Sequence, residues 1–113
     1  MAKEEIVESL YDEIEKKFGG NAGDVFALIK SLEESPKKGK ELGNVGGFVI
    51  KEIRYKGFRF YFYTDGFRLK CLGSEELVDL LIRFVRMSDK KYQQKTIDEI
   101  RNVLRGVGVS GFL

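Results

Sequence analysis

FVIKEIRYKGFRFYFYTDGFRLKCL, residues 48–72, is the stretch whose reading decides the fold. Its side chains alternate with a period of two, and Lys56-Gly57 and Asp65-Gly66 interrupt the alternation. That period is the signature of strands, whose successive side chains point to opposite faces. The stretch therefore predicts three strands, at residues 48–55, 58–64 and 67–72, joined by two-residue hairpin turns. Asp-Gly is a strong signal for such a turn and Lys-Gly a weaker one.

Two-residue turns set the register. Arg54 is expected opposite Arg59, Ile53 opposite Phe60, Glu52 opposite Tyr61, and Tyr63 opposite Arg68. Alternation then places Val49, Ile53, Tyr55, Phe58, Phe60, Phe62, Phe67, Leu69 and Cys71 on one face, which must pack on helices. The other face carries Glu52, Arg54, Arg59, Tyr61, Tyr63, Arg68 and Lys70. Facing arginines repel by a few tenths to ~1 kcal/mol unless an anion lies between them. Cations beside flat aromatic rings on a sheet are a common means of holding single-stranded RNA. Tyr61, Tyr63, Arg68 and Lys70 are thus candidate RNA-binding residues. The plain alternatives are a solvated face of β-forming tyrosines and charges, or a face covered by the last helix.

On the N-terminal side, Ile6, Leu10, Ile14 and Phe18 recur at four-residue steps and predict an amphipathic helix over residues 4–18. Gly19-Gly20 ends it. Asn21 or Asp24 can cap a second helix with the stripe Val25, Leu28, Ile29 and Leu32, which Pro36 stops near Glu34. Residues 36–47, PKKGKELGNVGG, read as a basic loop. On the C-terminal side, residues 74–86 carry both helix and strand signals, and Leu81 to Arg86 favours a fourth strand. Ile97, Ile100 and Leu104 predict a last helix over residues 91–105.

The 113 residues fit one domain, 1–113, of the α+β class: an N-terminal helical hairpin packed on a small antiparallel sheet, with a C-terminal helix. No run approaches the ~18 apolar residues of a membrane span. The opening MAKEEIVESL lacks the order of a secretory signal, so the expected location is cytoplasmic. The net charge of +2 is unevenly spread. Residues 1–25 carry 3 basic and 7 acidic side chains, residues 26–72 carry 10 and 5, and residues 73–113 carry 7 and 6. A positive middle favours an anionic partner. One cysteine and no histidine argue against a zinc site and against any disulfide within the chain, and no cofactor is expected. Cys71 reads as a small apolar residue.

Taken together, ELGNVGGFVIKEIRYKGFRFYFYTDGFRLKCL and KKYQQKTIDEI resemble the RelE/ParE toxin superfamily, nearest its HigB-like branch. The first run is similar in its leucine-and-glycine loop, its strand ending in Ile53-Arg54, and the turn before Phe58-Arg59. The second is similar in Lys90, Lys91, Gln93, Glu99 and Ile100. Many members open with a strand, whereas this chain reads as opening with a helix. The resemblance spans roughly residues 26–105. It implies a RelE-like fold and metal-independent cleavage of messenger RNA, usually on the ribosome, by a toxin held in check by an antitoxin.

In that reaction a 2′-hydroxyl attacks the adjacent phosphate. The step needs proton removal, stabilisation of the charged phosphorane and protonation of the leaving oxygen. Preorganised cations suit the charge that develops, and Arg54, Arg59, Lys90 and Lys91 are the candidates. Proton transfer favours a group titrating near neutrality. Without histidine the choices are a lysine or tyrosine shifted by nearby cations, or Glu52; Tyr61, Tyr63 and Tyr92 are the stacking or proton-transfer candidates. Two other readings remain. One is a non-catalytic RNA- or protein-binding module with the same fold. The other is an interaction protein that uses the apolar stripe of its first helix to form a homodimer.

Overall fold

The alternation in FVIKEIRY and FRFYFYT gives the two central strands of a larger sheet. The computed structural model describes residues 3–35, 38–64, 68–71, 74–77 and 81–112. In chain order these form β1 (Lys3–Ile6), α1 (Glu8–Phe18), α2 (Ala22–Lys30), β2 (Lys40–Val45), β3 (Phe48–Tyr55), β4 (Phe58–Thr64), β5 (Arg68–Cys71), β6 (Ser74–Leu77), β7 (Leu81–Asp89) and α3 (Gln93–Gly106). Turns of 3-10 helix occupy Gly19–Asn21, Ser31–Glu33 and Val109–Phe112. The architecture is α+β, with N-terminal helices, a five-stranded sheet and a C-terminal helix.

The main sheet runs β1-β7-β4-β3-β2. It is mixed, because β1 lies parallel to β7 while the other pairs are antiparallel. At the β3–β4 turn Lys56 and Gly57 both take positive φ, 44° and 83°, the conformation a type I′ hairpin requires. The register follows: Arg54 pairs with Arg59, Ile53 with Phe60 and Glu52 with Tyr61. Gly46 and Gly47, at φ 57° and 87°, make a second such turn between β2 and β3.

Four sequence expectations are corrected. The first helix begins at Glu8, not Glu4, and Lys3–Ile6 is a strand, so Ile6 belongs to the sheet. Much of the expected basic loop is β2, whose chain reversal at Gly46-Gly47 lets a segment with few apolar side chains pair along β3. Arg68–Cys71 does not extend the sheet from β4. β5 pairs with β6 in a separate two-stranded sheet, and β7 takes the second edge of β4. Tyr63 therefore faces Arg83, not Arg68. Finally, Asn21 precedes α2 but its side chain makes no capping bond. Asp65, Gly66, Phe67 and Leu72 lie outside the described residues, as do the side chains of Arg68, Leu69, Lys70 and Cys71. The preference for a strand at Leu81 to Arg86 agrees with β7.

Helices cover both faces of the sheet. On one, Phe18 of α1 meets Tyr55, Phe58 and Phe60 at ring distances of 5.7, 5.3 and 5.9 Å. Leu10, Ile14, Val25, Ile29 and Leu32 complete that core. On the other, α3 buries Ile97, Ile100 and Leu104, and Phe112 lies 6.0 Å from the Tyr63 ring. Polar bonds pin this layer: Arg86 Nε donates to Glu99 Oε1 at 2.8 Å, and Arg101 Nη2 donates to the Leu42 carbonyl at 2.9 Å. Consequently every residue of β4 after Phe58 is buried. Among the described residues no helix is long and apolar enough to cross a membrane.

The Phe62 and Phe84 rings, 4.6 Å apart, both lie in the fully buried centre. Phe62→Ala should destabilise the fold by about 3–5 kcal/mol, whereas Phe58→Ala, at a half-buried position, should cost less. Urea unfolding of the two variants checks the order.

Candidate nucleic-acid interface

The β3–β4 register brings Arg54 against Arg59, and the β4–β7 register continues the row to Ser88. Two residues beyond Ser88 the chain turns through Lys90, Lys91 and Tyr92 into α3. One end of the sheet therefore collects Arg54, Lys56, Arg59, Lys90 and Lys91. Lys56, Lys90 and Lys91 are exposed. Tyr92 is half exposed, its backbone N–H held by Asp89 Oδ1 at 3.1 Å and its ring 5.5 Å from Lys91 Nζ. Thr96 Oγ1 donates to the Tyr92 carbonyl at 2.9 Å and fixes the first turn of α3.

The two arginines differ. Arg54 keeps 55 % of its side chain exposed, and its Nη2 reaches Glu52 Oε1 at 3.3 Å. Glu52 is only 1 % exposed and also accepts from Gln93 Nε2 at 3.5 Å. Arg59 is buried at 6 % exposure. Its Nη1 donates to the Gly57 carbonyl at 3.1 Å, while its Nε is buried and has no hydrogen-bond partner among the described residues. A donor left unmade in this way costs about 1–3 kcal/mol.

The tyrosines do not serve as expected. Tyr61 and Tyr63 lie on the Arg59 face as the register requires, but α3 and Phe112 cover that face and both are fully buried. No ring face is open for a base to stack on. The Tyr61 hydroxyl shares a 2.8 Å hydrogen bond with Ser88 Oγ. The Tyr63 hydroxyl accepts from Arg83 Nη1 at 2.9 Å, and Arg83 Nε and Nη2 grip Glu5 Oε2 at 3.0 and 2.8 Å. This chain of contacts ties β4 and β7 to β1. Burial pushes the pKa of both phenols up from the ordinary 10.0, so neither is a base near neutral pH. Sequence reasoning placed no role on Arg83 or Arg86, because their partners Glu5 and Glu99 are remote in the chain.

It also passed over Lys38 and Lys40. Together with Arg54 they line a pocket of about 280 Å3 beside β3, walled by Leu28, Gly39, Glu52 and Ile53. The basic composition of the segment before β2 was its only sequence signal. Comparison with family models, curated proteins and solved structures returns no match.

Because the folded state favours neutral Tyr61 and Tyr63, it holds their protons more tightly than the unfolded chain does. Their contribution to stability is complete below pH ~10 and is lost as pH rises through the folded-state values. Phenolate absorbance should show two tyrosines ionising later than an ordinary tyrosine, and in Tyr61→Phe and Tyr63→Phe one late component should disappear.

Proposed function

We propose that this chain is a toxin-type RNA-binding protein of the RelE/ParE kind, nearest the HigB-like branch, which cleaves messenger RNA in the cytoplasm without a metal ion. The observation that carries the reading is the row Arg54–Arg59–Ser88, which leads directly into Lys90-Lys91-Tyr92 at one rim of the sheet. The opening strand β1 adds support, since many members of that superfamily begin with one.

In this reading Arg59 and Arg54 hold the scissile phosphate, and Lys90 and Lys91 meet the charge that builds on its oxygens. The 2′-oxygen bonds to phosphorus as the bond to the 5′-oxygen breaks, leaving a 2′,3′-cyclic phosphate and a free 5′-hydroxyl. The 2′-hydroxyl proton goes to a base and the leaving oxygen takes one up. Tyr92, exposed beside Lys91, is the phenol placed to share in that exchange. The exposed cations at this rim also suit an acidic antitoxin segment that folds as it binds and competes with RNA.

A second reading, a non-catalytic binding module, is favoured by the burial and raised pKa of Tyr61 and Tyr63, which remove two proton-transfer candidates. Expression of the chain should arrest growth and fragment messenger RNA, and the Arg54→Ala/Lys90→Ala/Lys91→Ala variant should do neither. Binding of a short RNA with intact messages would select the module. Four phosphate contacts, at Arg54, Arg59, Lys90 and Lys91, contribute about −3 to the log–log salt slope for single-stranded RNA, so a titration of affinity against salt should give a slope at least that steep. Affinity indifferent to salt would dismiss both readings.

A further inference from the structure

β2 ends its pairing with β3 at Lys40 opposite Glu52, while β3 runs on to Tyr55. In a two-residue hairpin the residues flanking the turn, here Tyr55 and Phe58, direct their backbone groups at each other. Ladder alternation then aims the peptide N–H of Arg54 the opposite way, toward the edge that β2 has vacated. The Lys38 N–H, which would continue the ladder on that side, donates instead to the Ser35 carbonyl at 3.0 Å. Gly39, at φ +107°, carries the chain across the gap.

The pocket lined by Lys38, Lys40 and Arg54 opens at this unpaired edge. The buried Glu52 carboxylate engages Arg54 through Nη2 at 3.3 Å, and the Arg54 side chain, which carries five guanidinium N–H donors, stays more than half exposed. Among the described residues Lys38 Nζ makes one long contact, to Ser31 Oγ at 3.4 Å. Leu28 and Ile53 supply an apolar wall. Two lysines, an arginine and the backbone edge of β3 beyond Lys40 line a space large enough for a phosphate group with part of its ester. Such a mixture of cations and backbone donors is suited to phosphate recognition.

We infer that this edge pocket is a phosphate-binding site, distinct from the Arg59–Lys90–Lys91 rim and joined to it through Arg54. If the proposed function holds, the pocket takes a neighbouring phosphodiester of the same RNA strand. Otherwise it takes a free phosphate or phosphate monoester.

The test follows backbone amides of the full chain by NMR during titration with inorganic phosphate at constant ionic strength, and separately with a short oligoribonucleotide. Phosphate should move the Gly39, Lys40 and Arg54 amides along saturating curves. Lys38→Gln/Lys40→Gln should weaken that binding at least tenfold, while Lys90→Gln/Lys91→Gln leaves it unchanged. A strand-borne source adds the same shifts with the oligoribonucleotide, and Lys38→Gln/Lys40→Gln then makes the salt slope shallower by about 1.4. Shifts with phosphate alone identify a free phosphate instead. If neither ligand moves these amides, or if the shifts persist in Lys38→Gln/Lys40→Gln, the inference is wrong. Should RNA affinity ignore the loss of Lys90 and Lys91, the toxin-type reading fails and the phosphate titration still decides the pocket.

Discussion

Everything in this sheet depends on the hairpin turn at Lys56-Gly57. Both residues occupy positive φ, which for lysine is a strained choice held by its neighbours. A slip of one residue would drive Arg59, Tyr61 and Tyr63 under α1 and α2 and turn Phe60 and Phe62 toward α3. The apolar stripe of α1, which meets Phe58 and Phe60 through Phe18, would then lose its partner. The same turn sets the two arginines side by side, so one local backbone conformation fixes the core and the charge pattern at its rim.

β3 and β4 were legible to the residue because alternation and turn chemistry are local signals. β1 was not, because Ile6 happens to continue the four-residue spacing of Leu10, Ile14 and Phe18. Its real partner, β7, lies far along the chain. β2 was hidden for a related reason: Lys40–Val45 holds only two apolar aliphatic side chains, and its pairing is imposed by the reversal at Gly46-Gly47. The partner of β4 was also a long-range choice, and sequence order favoured the nearer strand that followed Asp65-Gly66.

The candidate site divides along the same line. The facing of Arg54 and Arg59 could be read from the hairpin, but the depth of each could not. Burial belongs to α3, which covers the face and turns Tyr61 and Tyr63 from surface rings into core residues with internal hydrogen bonds. Arg54 escapes because it lies near the turn at the end of β3, where it stays more than half exposed. The edge pocket depends on where β2 stops, a boundary that sequence patterning does not resolve.

The β4–β7 pairing also orders events in time. β4 can acquire β3 as soon as the hairpin closes, but its second edge stays bare until the whole of β7 has been synthesised and has closed a much longer loop. α3, which shields Tyr61 and Tyr63, is made later still. A nascent chain halted before Ser88 would therefore present an apolar strand edge, open to pairing with other chains, and would lack the lysines that complete the rim. Aggregation risk and the basic cluster are thus mutually exclusive: the first ends as the last third of the chain arrives, and the second begins there.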